Sequence, residues 1–294
     1  MAEQQRTDEP ATHPVVVAPP PPGVTRILTW NVGAAGPESS QDQARWLATT
    51  AVPVLVLTEV SSRHQGLESA LREEGFAIFS PDVPPLMAGD QRILLAARGY
   101  HLEALAGPAP HHQPHRCAAA RLTPFDGGRP LVVAGMYVPS KGSESRRHTA
   151  KRAFQGAGKT WLPRLVNAAG DDPVVVAGDL NSLEPGEVAR YENYGPWECD
   201  FYWSFAKLGL VDAYRSRHPR GGDPRWFGQN LDEGYRFDHL FVSQDTRVES
   251  CDYDEEPWEK GLSDRPALIA ALNDDERDAL DLDADRTLDE PCLP

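Results

Sequence analysis

The feature that most constrains the fold of this chain is a series of short runs that are apolar and β-branched almost throughout. "RILTW" at 26–30, "VPVLVLTEV" at 52–60, "FAIFS" at 76–80 and "RILLAAR" at 92–98 open the series. "RCAAARLT" at 116–123, "LVVAGMYV" at 131–138, "PVVVAGDL" at 173–180, "FDHLFVS" at 237–243 and "ALIAAL" at 267–272 complete it. Runs of this length and composition read as strands, and their continuous rather than alternating character implies sheets with covered faces. Helix signals fall between them. "SQDQARWLATTA", "QGLESALREEG" stopped by Gly75, part of "RRHTAKRAFQGAGKTWLPRLVNAAG" and "CDFYWSFAKLG" ending at Gly209 supply the cover. The expectation is a layered α/β or α+β domain over residues 24–273. Residues 1–23 are Pro-rich, polar and without period, which suits a disordered arm with polyproline II character, and 274–294 read as an acidic tail. No repeat of solenoid period is present.

At 294 residues, 40% hydrophobic and 25% charged, the chain can bury a sizeable core. It has no apolar run long enough to span a bilayer and no basic-then-apolar start, so a cytoplasmic protein without a membrane span is expected, a monomer in the simplest case. The four cysteines are widely spaced with no CxxC pair, which predicts unpaired thiols rather than a zinc site or disulfide framework. A net charge of −15 argues against a protein that coats nucleic acid nonspecifically, because such binding rests on phosphate neutralisation by Lys and Arg. It leaves room for an enzyme acting on phosphate esters. Much of the negative charge sits in the tail, whereas Arg146, Arg147, Lys151, Arg152, Lys159 and Arg164 make one stretch locally basic.

Single polar residues appear where the strands end. "ILTWN" delivers Asn31, "LVLTE" Glu59, "VVVAGDLN" Asp179 and Asn181, "YRFD" Asp238 and "LSD" Asp264. Each has a plain structural reading: Asn31 before Gly33 suits a turn, Asp179 and Asn181 an Asx-turn, and Glu59 a surface carboxylate. Side-by-side strands in one domain would instead bring them to a common edge. Carboxylates gathered there repel unless protons or a cation neutralise them, and a hard divalent ion such as Mg²⁺ or Mn²⁺ suits an oxygen-only set.

The stretches "LTWNVG", "LVLTEV", "GMYVPSKG", "VVVAGDLNSLEPGE", "GYRFDHLFVS" and "LSDRP", in that order over residues 26–272, resemble the endonuclease/exonuclease/phosphatase superfamily of metal-dependent phosphoesterases. "YVPSKG" is similar to the Tyr-x-Pro loop of its exonuclease III and AP endonuclease branch. So is "GLVDAYR" followed by "PRWFGQNLDEGYRFDHLFVS" with its aromatic pair. The resemblance implies a four-layer sandwich of two packed, mixed β-sheets with helices outside, and hydrolysis of phosphodiester bonds, with a DNA or RNA nuclease as the leading expectation.

By that resemblance Glu59 is the main metal ligand, assisted by Asn31 and Asp264, with Mg²⁺ or Mn²⁺ as the ion. Asp179 orients and deprotonates the attacking water, and Asn181 binds the phosphate or positions that carboxylate. Tyr137 donates to a phosphate or leaving-group oxygen. Arg146, Arg147 and Trp226 are expected substrate contacts. His239 adjoins Asp238 but points to the opposite face of the strand, which suits a structural role. His111, His112 and His115 form a loop cluster that a transition metal could use only with further ligands.

In the resembled family the terminal motif reads Ser-Asp-His, its His oriented by an Asp at the position of Asp238. Here it reads Ser263-Asp264-Arg265. A guanidinium gives charge and hydrogen bonds but does not exchange a proton near neutral pH. Paired with Asp238, Arg265 could clamp a phosphate. Three readings follow: an active phosphodiesterase with an electrostatic Arg265, a silent relative that binds a phosphate-containing ligand or a partner, and a phosphatase of small phosphate esters or lipid headgroups. A contact between Asp238 and Arg265, and convergence of Glu59, Asn31 and Asp264, are the structural expectations.

Overall fold

The structure, a computed structural model, describes residues 23–33, 35–85, 89–105, 109–140, 145–185, 196–219 and 235–277. Two six-stranded sheets pack face to face. In the first, the order is β11 (Thr246–Asp254), β12 (Ala267–Arg277), β1 (Val24–Asn31), β2 (Val54–Ser61), β4 (Gln91–Ala97) and β3 (Ala77–Phe79). In the second it is β5 (Tyr100–Ala104), β6 (Cys117–Pro124), β7 (Leu131–Met136), β8 (Val174–Asp179), β10 (Asp238–Ser243) and β9 (Leu210–Asp212). Both sheets are mixed: β1 and β2 are parallel, as are β7 and β8, while the other pairs are antiparallel.

The continuous apolar runs are explained by what each face meets. Along β1 and β2, Ile27, Val54 and Val56 point into the layer between the sheets, against Ala120, Val133, Val175 and Leu240. Their neighbours Leu28, Leu55 and Leu57 point outward and are covered by Ala44 and Leu47 of α1 (Pro37–Thr49) and Leu67 and Leu71 of α2 (Gly66–Glu73). On the second sheet, Val132, Ala134 and Val176 are covered by Phe154, Leu162 and Leu165 of α3 (Ser145–Ala169) and Phe201 and Phe205 of α4 (Pro196–Ala206). A strand sealed on both faces favours apolar residues along its length, with Thr29, Thr58 and His239 as buried polar exceptions here. The result is a helix–sheet–sheet–helix sandwich, with short α5 (Ala213–Arg217) and α6 (Glu256–Glu259) near its edges.

Three strands escaped the sequence reading: β5, β9 and β11. All lie at sheet edges, and the exposed faces of β5 and β11 give them polar residues that break the apolar pattern. β12 runs on to Arg277, into sequence that reads as acidic tail. Cys117 and Cys251 are free, but Cys199 is disulfide-bonded, which corrects the expectation of unpaired thiols. Linear spacing carries no information on a partner distant in sequence. No helix among the described residues is long and apolar enough to cross a membrane.

Gly178, next to the end of β8, fixes how closely β7 and β8 approach. Its φ is +139°, and a Cβ there would lie 2.1 Å from the carbonyl oxygen of Met136. The close approach sets the position of Asp179, one residue on. Gly178→Ala is expected to destabilise the fold by about 3 kcal/mol or more, from backbone clash and strain together. Gly156→Ala, at a helical site with nothing within 4 Å, should be neutral or stabilise by up to about 1 kcal/mol. Urea denaturation of the two variants checks the contrast.

Candidate active site

The ends of β1, β2 and β8 and the start of β10 meet at one edge of the sandwich. Parallel pairing sets Asn31 beside Thr58, and the Val32 amide donates to the Thr58 carbonyl at 3.0 Å, so β1 and β2 finish level. The β2–β4 register breaks between Leu57 and Val60, and Glu59 within that irregularity takes φ +56°. A bulge of this kind turns a side chain away from the regular alternation, and non-glycine residues hold such backbone only when their surroundings impose it. In the second sheet, Asp179 at the end of β8 stands directly opposite Asp238 at the start of β10. Asn181, two residues on, has φ +46°.

Asn31 joins the two sheets. Its Nδ2 donates to Glu59 Oε1 and to Asp179 Oδ2, both at 2.9 Å, and its Oδ1 accepts from the Gly33 amide at 3.0 Å. Tyr137 donates its hydroxyl to Gln91 Oε1 at 2.8 Å and to Glu59 Oε1 at 3.2 Å, and Gln91 Nε2 reaches Glu59 Oε2 at 3.5 Å. The Arg116 guanidinium lies over the Tyr137 ring, 4.1 Å from its centroid, held in turn by Asp90, which also bonds His115 Nε2 at 2.9 Å. Burial, with the charge of Glu59, pushes the Tyr137 hydroxyl far above its ordinary range, so it is a hydrogen-bond donor at any working pH.

Arg265 lies inside this site. It is 7% exposed, with Nη1 3.6 Å from Asp238 Oδ2 and Nη2 3.8 Å from Asp179 Oδ2. Its backbone is pinned as well: the Trp30 indole donates to the Arg265 carbonyl at 3.0 Å, and the Arg265 amide donates to Ser263 Oγ, which itself donates to the Asn31 carbonyl at 2.6 Å. Burial pushes Asp238 up to about 8, reinforced by the charge of Asp179 and opposed by Arg265. Asp179 is raised for the same first reason, with Arg265 opposing and Glu59 adding to the shift. Asp238 Oδ1 is buried and has no hydrogen-bond partner among the described residues.

The remaining expected residues fall as follows. Asp264 is exposed, and its Oδ1 lies 3.8 Å from where a Cβ on Gly33 would be. Among the described residues no three His, Cys, Asp or Glu side chains gather in a metal-binding arrangement. A set of Glu59, Asp264 and the Asn31 amide oxygen has only two acids, in keeping with the one or two carboxylates plus waters that suit Mg²⁺. The donor chemistry therefore fits a hard divalent ion. Asn181 Nδ2 donates to the Val138 carbonyl and its backbone amide to Asp179 Oδ1, both at 2.9 Å, so it braces the Asp179 carboxylate directly. Arg146 and Arg147 fall in the first turn of α3, with side chains outside the described structure, and Trp226 lies outside the described residues. His239 is fully buried on the opposite face, 3.2 Å from Asp212 Oδ2. His115 is occupied by Asp90, and no metal cluster of histidines forms among the described residues.

Lys151 does not share the exposure of its neighbours in the basic stretch. It is completely buried and paired with Glu198 at 2.7 Å, and burial pulls its ammonium below the usual range against the pull of that carboxylate. Gln91, Arg116 and Lys151 are the members of the site that sequence reasoning missed. An adjacent acid was the available signal for none of them, because their partners lie 25 or more residues away.

The chain belongs to the endonuclease/exonuclease/phosphatase family: the family model of that description matches residues 28–264. This places it among phosphoester hydrolases. No curated protein matches the sequence. Among solved structures, an AP endonuclease from Archaeoglobus fulgidus is 19% identical, with 84% of this chain and 98% of that one covered at a TM-score of 0.64. The 3'-5' exonuclease NExo from Neisseria meningitidis is 20% identical over 84% and 98% of the two chains, at 0.66. The AP endonuclease LMAP from Leishmania major is 17% identical over 85% and 88%, also at 0.66. At these identities the likeness is one of fold.

The support beneath Tyr137 makes a pH prediction. Burial alone would raise Asp90, but the His115 hydrogen bond and the Arg116 charge bring it down to about 2. A carboxyl lowered on folding contributes stability that is present above its unfolded pKa and lost as pH falls through the folded value. The stability of the native chain against urea should therefore fall between about pH 4 and pH 2, and Asp90→Asn should flatten that part of the curve in a urea series.

Proposed function

We propose, from its membership of the endonuclease/exonuclease/phosphatase family, that this chain is a divalent-metal-dependent phosphodiesterase acting on nucleic acid. The observation that carries the reading is Asp179, buried and held from two sides by Asn31 Nδ2 and the Asn181 amide while facing Arg265. A carboxylate so fixed, and made more basic by burial, is suited to take a proton from a water aligned on phosphorus. The nucleic-acid part rests on the neighbours: AP endonucleases, a 3'-5' exonuclease, and a 3' phosphatase form of NExo with a product DNA hairpin.

In this reading Glu59, Asn31 and Asp264 would hold Mg²⁺ or Mn²⁺, which when bound supplies Lewis-acid stabilisation of charge on the phosphate. Arg265, fixed beside Asp238, donates to a non-bridging phosphate oxygen as a permanent cation. Tyr137 donates to the phosphate or to the leaving oxygen. Asn181, whose amide nitrogen carries a second N–H beyond the one given to Val138, adds a further donor. Arg146, Arg147 and Trp226 are assigned contacts along the substrate strand.

A second reading, a silent binder of phosphate groups, draws on Arg265 itself, which stands where the resembled terminal motif has a proton-exchanging histidine. One panel separates the two. Duplex, nicked, abasic and single-stranded DNA, RNA, small phosphate esters and bis(4-nitrophenyl) phosphate are offered with Mg²⁺ or Mn²⁺ to the native chain and to Asp179→Asn, Arg265→Ala and Arg265→His. Native turnover on a nucleic acid is expected, abolished by chelation, with Asp179→Asn lowering kcat about 10³-fold and Arg265→Ala about 10²-fold. A silent native chain that gains activity as Arg265→His would establish the binding reading. Turnover of small esters alone would move the substrate class, and native activity untouched in Asp179→Asn would overturn the mechanism.

A further inference from the structure

The loop that follows β8 carries Asp179 and Asn181, and it is bonded from below by buried side chains that no catalytic role requires. Lys151 Nζ donates to the Asn181 carbonyl at 2.5 Å and to Glu198 Oε1 at 2.7 Å. Gln155 Nε2 donates to Ser182 Oγ at 2.8 Å and reaches Glu198 Oε2 at 3.4 Å, and Ser182 Oγ donates to the Leu180 carbonyl at 2.8 Å. Lys151 and Gln155 are four residues apart on α3, so they present one helix face to consecutive loop residues. Glu198 comes from α4 and completes the set. Neither Lys151 nor Glu198 has any exposed side-chain surface.

Two physical facts make this arrangement unusual. A buried ion pair is a poor source of stability, because the cost of desolvating both charges offsets their attraction, and apolar residues of similar volume commonly serve as well or better. Asn181 meanwhile holds a left-handed backbone, which asparagine adopts more readily than most residues with a side chain but which its surroundings must still favour. The constraint is visible. Its amide is tied to Asp179 Oδ1, its side chain to the Val138 carbonyl, and its carbonyl to Lys151 Nζ. Release of the carbonyl frees the peptide that follows Asn181 to rotate and removes one of the three ties that hold the residue whose amide braces Asp179.

We propose that Lys151, Gln155 and Glu198 are positioning residues for the phosphodiesterase site: from beneath, they lock the left-handed Asn181 turn that aims the Asp179 carboxylate. The proposal rests on the function assigned above, and its test has one arm that does not use activity. Lys151→Met alone would strand the Glu198 carboxylate in the interior, so the informative variant is Lys151→Met with Glu198→Leu, which replaces the pair by apolar volume. Gln155→Leu is the milder companion. Amide hydrogen exchange at residues 180–183, thermal melting, and kcat and KM on bis(4-nitrophenyl) phosphate with Mn²⁺ are compared with the native chain.

The double variant is expected to melt near the native temperature, to exchange its loop amides at least about tenfold faster, and to lose kcat about 10- to 100-fold with KM nearly unchanged. Gln155→Leu should shift both readouts the same way by less. Native exchange in the loop of either folded variant overturns the proposal, as does faster exchange with native kcat. Should the double variant not fold, Gln155→Leu decides by the same criteria. Should the native chain turn over nothing, the assigned function fails, and loop exchange still decides whether these residues lock the turn.

Discussion

Asp179 and Asp238 face each other, buried, across the β8–β10 ladder, and the rest of the site is arranged around that repulsion. Like charges directly opposite on neighbouring strands are destabilising in water-exposed sheets and more so where water is excluded. Burial raises both groups. Arg265 supplies one neutralising charge from between them, at distances that are ionic contacts rather than short hydrogen bonds. Glu59, linked to Asp179 through the Asn31 amide, brings a third carboxylate to the same edge. One guanidinium, with the protons that burial favours on the two aspartates, is set against three acids. In the proposed function a divalent cation would share the negative charge gathered at this junction of the sheets.

The junction follows from sheet pairing. Strands sealed on both faces favour apolar residues until their ends, and two parallel pairs, β1 with β2 and β7 with β8, end at the same edge. This is why a layered α/β class and the polar residues Asn31, Glu59, Asp179 and Asn181 at strand ends were legible in the apolar runs, while the four-layer architecture and the place of Asp238, which opens β10, came from the resemblance of the motifs. The edge strands β5, β9 and β11 were not legible, because a strand with one neighbour and a solvated face loses the uniform pattern. Supporting residues were hidden for a different reason. Gln91 begins a strand rather than ending one, Arg116 opens the strand-like run "RCAAARLT", and Lys151 sits in a run of basic residues whose other members at 152, 159 and 164 are exposed. Only tertiary contact separates the buried cation from its solvated neighbours.

Arg265 is the point where this chain departs from the motif it resembles, and the surrounding residues account for its accommodation. Trp30 and Ser263 pin its backbone, Phe237 lies 5.8 Å from its guanidinium, and the two aspartates set the direction of its charge. The guanidinium has a packed and charged environment, which suits the phosphate contact proposed for it. What it cannot do is exchange a proton near neutral pH, so proton movement in the proposed chemistry falls to Asp179.

The most direct test of this account is a Mn²⁺ titration of the native chain and of Glu59→Gln, followed by electron paramagnetic resonance of the free ion. The account predicts saturable binding by the native chain that weakens at least about tenfold when the Glu59 charge is removed. A native chain that leaves the Mn²⁺ free, or a Glu59→Gln chain that binds it equally well, would contradict the claim that the excess carboxylate charge at the sheet junction is a cation site.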